Sequence, residues 1–193
     1  MSSVKRAPKA KKWLRSDLYI NREFSLLQFN GRVLHEAANL ENPILERARF
    51  LSIFESNIDE FYMVRVSGLI EQFDSSIHDL SPDGLTPEEQ LHLIAKTVKP
   101  LRARAAEILK GILSELRDLD VHVLGYSDLS KKQRRIVDDA YRATVFPLLT
   151  PLILAPAPSL PFISSRSLNL AVRLKEDDNT RLARVKVPNL LPR

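Results

Sequence analysis

Between Asn42 and Gly68 the chain reads NPILERARFLSIFESNIDEFYMVRVSG, and this stretch restricts the fold more than any other. Its apolar residues Ile44, Ala48, Leu51, Phe54, Ile58, Phe61 and Tyr62 recur at steps of three or four, which is one face of a helix. A long helix with a single apolar stripe has to bury that stripe against other helices, so the spacing predicts a bundle. A polar cluster, Glu55-Ser56-Asn57 with Asp59-Glu60, interrupts the middle of the stretch. Asn57 follows Phe54 by three residues and precedes Phe61 by four. Its side chain is therefore expected close to the buried face and not opposite it.

Other helices flank this one. Ser25-x-x-Gln28 has the form of a capping box, followed by Leu26, Phe29, Val33 and Ala37 on one face, and predicts a first helix ending near Asn39. Pro43 suits the first position of the second helix, which is predicted to run to about Phe73 with a bend near Gly68. Asp74–Thr86 is polar and contains Pro82, Asp83 and Gly84, the composition of a loop. Thr86-Pro87-Glu88-Glu89 joins a cap, a first-turn proline and an N3 glutamate, and opens a third helix to about Arg117 in which Pro100 is expected to make a kink. Val121–Leu124 reads as a small strand, and Ser130-x-x-Gln133 caps a fourth helix to about Phe146.

The character then changes. Pro147, Pro151, Pro156, Pro158 and Pro161 exclude regular helix. Ser167–Leu174 and Arg181–Val187 alternate polar and apolar residues around a turn-like Glu176–Thr180, which predicts a β-hairpin with one buried face. A lone hairpin cannot cover that face, so either a chain cut within a second domain or a hairpin packed back on the helices is expected. The fold class is thus mainly α: a basic tail over 1–17, a helical domain over 18–125, and over 126–193 the truncated start of an α+β domain with a β-hairpin.

Charge and composition narrow the function. Six of the 29 basic residues, Lys5, Arg6, Lys9, Lys11, Lys12 and Arg15, fall in the first fifteen positions without a single acid, so the body is near neutral against 24 acidic residues. Such a tail suits any polyanion, or stays a solvated extension. The absence of cysteine removes disulfides and thiolate metal sites and fits a reducing compartment, and no apolar run reaches membrane-spanning length. The five glycines never cluster, which excludes a glycine-rich phosphate cradle, and the four histidines stand singly without helical zinc spacing.

Two kinds of site residue remain. Glu55, Asp59 and Glu60 offer hard oxygens for Mg²⁺ or, equally, a solvated face or docking contacts. Asn57 offers one acceptor and two donors, which matches the donor–acceptor edge of adenine, with Phe54, Phe61 or Tyr62 as stacking surfaces. It could as well hold a neighbouring backbone group. Arg65 is suited to phosphate or to a salt bridge with a nearby acid.

Tyr19–Ala37 (YINREFSLLQFNGRVLHEA), Asn42–Leu69, Val145–Leu174 and Ala183–Arg193 together resemble the N-terminal domain and the entry to the head domain of polyphosphate kinase, the long multidomain bacterial enzyme. Leu27 departs from the tryptophan common in the family. The resemblance implies reversible transfer of the terminal phosphate of ATP to polyphosphate through a phosphohistidine, with Mg²⁺ as cofactor. It implies that Asn57, at the asparagine of the S-N-[LI]-D-E-F motif, contacts the nucleotide. It also implies that the histidine and metal ligands belong to C-terminal domains beyond residue 193, so that this chain alone has no turnover. Further implications are a cytoplasmic homo-oligomer whose partners are ATP, ADP and polyphosphate, with no specific nucleic acid. Peripheral membrane association is left open. The other reading is a non-enzymatic helical interaction module with a polyanion-binding tail.

Overall fold

A computed structural model describes residues 15–76, 79–154, 162–176 and 179–188. Lys5, Arg6, Lys9, Lys11 and Lys12 of the basic tail lie outside the described residues, and Arg15 pairs with Asp17. The chain divides into two compact units, Met1–His122 and Val123–Arg193.

The first unit is built from α1 (Arg22–Ala38), α2 (Ile44–Phe61), α3 (Ser67–Asp74) and α4 (Pro87–Asp118). The start of α1 differs from the expected Ser25 cap. The helix begins one turn earlier, because the Asn21 side-chain oxygen accepts from the backbone N–H groups of Glu23 and Phe24, both at 3.0 Å. Asn21 is itself buried, and its Nδ2 donates to Asp83 Oδ1 and Gln90 Oε1, each at 3.2 Å. One amide thus caps α1 and ties its first turn to the 81–86 loop and to α4. That loop turns through Gly84, whose φ of 89° is open to glycine and strained for other residues. The capping box of α4 forms as the sequence predicts: Thr86 Oγ1 accepts from the Glu89 N–H, and the Glu89 carboxylate accepts from the Thr86 N–H. The helix runs through Pro100 as one element from Pro87 to Asp118.

Leu27 and Leu34 of α1, Phe54 and Ile58 of α2, and Ile94 and Ile112 of α4 are almost fully buried and form the centre of the core. Burial of side chains this size stabilises a fold by roughly 1.5–3 kcal/mol each. Val121–Leu124, expected as a small strand, is not one. Asp120 takes a positive φ of 60°, and the Val121 N–H is spent on the Leu116 carbonyl, closing the end of α4.

In the second unit, α5 (Lys131–Ala140) carries the predicted Ser130–Gln133 capping box. Strands β1 (Pro151–Leu154), β2 (Asn169–Glu176) and β3 (Asn179–Lys186) form an antiparallel sheet in the order β1-β3-β2. The predicted hairpin is β2–β3, with Glu176 opposite Asn179. β1 is an addition to the expected fold. It sits at an edge with proline at its first position, where a missing N–H is tolerated. On the sheet, Ala183 is buried, but Ile153 and Leu170 remain about half exposed, so the described residues do not cover the expected apolar face.

Candidate functional site

The buried apolar positions along α2 and its continuation are Leu51, Phe54, Ile58, Phe61, Val66 and Leu69. The steps are three, four, three, five and three. The five-residue step is a π-turn over Tyr62–Val66, where the Ser67 N–H reaches back five residues to the Tyr62 carbonyl. The π-turn lies just before Gly68, which is in α3. In an uninterrupted α-helix the residue four after Phe61 is Arg65, which would then fall on the core stripe. The extra residue gives that place to Val66 and leaves Arg65 at the edge of the core. π-turns of this kind are frequent at functional positions.

At that edge, α1 and α2 enclose a cleft of about 300 Å³. Leu26, Phe29 and Asn30 line it from α1, Asn57, Glu60 and Phe61 from α2, and Val64 and Arg65 from the π-turn. Asn57 is half-buried, and its Nδ2 donates to Asn30 Oδ1 at 2.9 Å. Asn30 is 1% exposed, and its own Nδ2 donates to the Leu26 carbonyl at 3.0 Å. Among the described residues no hydrogen bond reaches Asn57 Oδ1, and Arg65 has no hydrogen-bond or ion-pair partner. Arg65 and Val64 also line a larger neighbouring cleft of about 750 Å³, whose wall includes Asn21, Glu23 and Asp83. Glu23 is buried there. Its Oε1 accepts from Arg22, and its Oε2 has no partner among the described residues.

The other candidates separate. Phe54 is fully buried in the core and offers no stacking face, and Phe61 lines the cleft but is itself buried. Tyr62 lies against Phe61 edge-on and under the Arg102 guanidinium, 5.7 Å from its ring centre. The exposed aromatic that does line the cleft is Phe29, which the sequence reading treated as a packing residue. No role was assigned to Asn30 from the sequence. Its signal was present, since Leu26, Phe29 and Asn30 share one helix face at steps of three and four. Of the carboxylates, Asp59 faces Arg102 at 3.8 Å and Glu60 lines the cleft. Among the described residues no group of three His, Asp or Glu side chains could hold a metal ion.

Comparison with known proteins covers both units. The family model "Polyphosphate kinase N-terminal domain" matches residues 19–124, and "Polyphosphate kinase middle domain" matches residues 132–193. A polyphosphate kinase of Synechocystis sp. is 44% identical over 178 residues, 91% of this chain and 24% of the relative. One from Mycobacterium marinum is 45% identical over 183 residues, 93% of this chain and 25% of the relative. The crystal structure of polyphosphate kinase from Porphyromonas gingivalis matches with a TM-score of 0.68 at 32% identity, over 86% of this chain and 25% of that one. The chain thus spans about a quarter of the length of these relatives. With both units matched in order, the chain belongs to the polyphosphate kinase family.

Proposed function

We propose that this chain supplies the adenine contact of a polyphosphate kinase, the enzyme that reversibly transfers the terminal phosphate of ATP to inorganic polyphosphate. The observation that carries the reading is the state of Asn57. It opens on a cleft between α1 and α2 with its carbonyl oxygen and one N–H uncommitted among the described residues. Those two groups match the amino and ring-nitrogen edge of adenine. Phe29 adds an exposed ring at the same cleft.

Phosphoryl transfer depends on charge stabilisation around the moving group. The small cleft holds one arginine, Arg65, set against one glutamate, Glu60. We therefore assign the phosphohistidine and the transfer step to parts of the enzyme other than these residues. Family membership supports a cytoplasmic homo-oligomer acting on ATP, ADP and polyphosphate. No described helix is long and apolar enough to cross a membrane.

The test is a titration of the ¹⁵N-labelled chain with ATP, read by NMR at the Asn57 side-chain amide. Saturable shifts of that amide, lost from the neighbouring cleft resonances in Asn57→Ala, are the expected result. A chain that docks a protein partner through the same cluster would give no saturable response to several millimolar ATP, and that outcome overturns the reading.

A further inference from the structure

We infer that Asn30, through its bond to Asn57, fixes which atoms of the Asn57 amide face the cleft, and so acts as a positioning residue for base selection. This rests on the reading of Asn57 as the adenine contact.

A carboxamide can be turned end for end with little change in shape, so its orientation is decided by its partners. The series here begins at the Leu26 carbonyl. A carbonyl only accepts, so the Asn30 group facing it at 3.0 Å is the NH₂. Asn30 Oδ1 is then the end that meets Asn57, and an acceptor there requires Asn57 to present its own NH₂, 2.9 Å away. Asn57 Oδ1 is left for the cleft together with the second amide hydrogen. A backbone carbonyl on α1 thereby determines, two amides on, the hydrogen-bonding edge shown by α2.

Two features hold the series in one state. Asn30 is 1% exposed, so water does not compete for its amide. Turning it over would put two oxygens against each other at the Leu26 end and two NH₂ groups together at the Asn57 end, leaving buried polar groups unmatched. The outward oxygen of Asn57 accepts from an exocyclic amino group. A base with a 6-oxo group and a protonated ring nitrogen shows the reverse pattern and has to shift in the plane to be bound. The ligand class favoured is thus a 6-aminopurine nucleotide over a 6-oxopurine one.

The experiment compares ATP with inosine triphosphate, which differs at that edge, by NMR titration of the chain. The native chain is expected to bind ATP about tenfold more tightly than ITP, a ratio within reach of one two-point base contact. Asn30→Leu, which matches the volume of the amide, is expected to reduce the ratio to about twofold while ATP still perturbs Asn57. Asn30→Ser serves if the leucine variant fails to fold. Without nucleotide, one Asn57 side-chain N–H should exchange slowly with solvent in the native chain and quickly in either variant. A native ATP preference that survives in the variants, or fast exchange of both Asn57 N–H groups in the native chain, overturns the role of Asn30 and leaves the Asn57 reading standing. Absence of any ATP response at Asn57 in the native chain removes both.

Discussion

One nitrogen of Arg47 on α2 donates to both carboxylate oxygens of Glu115 on α4, at 2.9 and 2.8 Å. Its Nε donates in addition to the Ala37 carbonyl in the last turn of α1, at 3.2 Å. A single side chain thus joins three helices of the first unit. Its own surface is nearly all buried, whereas Glu115 is about half exposed, so solvent screens the carboxylate and the pair is worth less than a fully buried one. Arg47→Ala is expected to cost about 2 kcal/mol, mostly through the lost bond to Ala37 and the lost packing of the stem. Glu115→Ala, which strands a buried guanidinium, should cost a similar amount. Denaturant unfolding followed by circular dichroism measures both, and no change in either variant would mean that water replaces the contact freely.

The π-turn predicts an unusual deletion phenotype. Removing Met63, which is about half exposed, makes the step from Phe61 to Val66 four residues and restores an unbroken α-helix. Val66 and Leu69 keep their core positions, so the melting temperature should move by no more than about 3 °C. Arg65 rotates relative to Asn57, however, and the ATP response at the cleft should fall. Unfolding of the deletion variant far below the native temperature would show that the π-turn serves packing and not the site.

Acid should loosen the start of α4. The Thr86 backbone N–H and then its hydroxyl hold the Glu89 carboxyl below its ordinary value of 4.5. A carboxylate lowered on folding adds stability above its unfolded value and loses it as the pH falls through the folded one. Protection of the amides in the first turn of α4, taken relative to the intrinsic exchange rate at each pH, should therefore fall below pH 4.5. In Glu89→Gln, which keeps the reciprocal bonds without the charge, that acid step should disappear. Thr86→Ala should cost about 1 kcal/mol at neutral pH.

Purified alone, the 193-residue chain should convert no ATP to polyphosphate, because the described residues bring no cluster of cations or histidines to either cleft. Product above background in a radiolabelled-ATP synthesis assay would contradict that expectation.

Much of the fold is written in local signals. The capping pairs Thr86–Glu89 and Ser130–Gln133 act within four residues of each other, and both form where the sequence puts them. The Asn21 cap was hidden because Ser25-x-x-Gln28 offered an equally good local signal. The choice between them is made by Asp83 and Gln90, more than sixty residues away. β1 was hidden likewise, since Pro151–Leu154 becomes a strand only through pairing with β3. At the site, Asn57 was legible as a polar residue beside an apolar stripe. Its orientation was not, because that depends on Asn30 across the helix interface. The five-residue gap from Phe61 to Val66 lies beyond the apolar stripe that ends at Tyr62, and a constant helical period does not reveal it.

β3 occupies the middle of its sheet although it is the last of the three strands to leave the ribosome. β1 and β2 make no ladder with each other. During synthesis both must therefore wait, β1 for the whole stretch from Leu154 to Asn179, before a backbone partner arrives. A nascent product released before Asn179 would carry two strands with nothing to pair with.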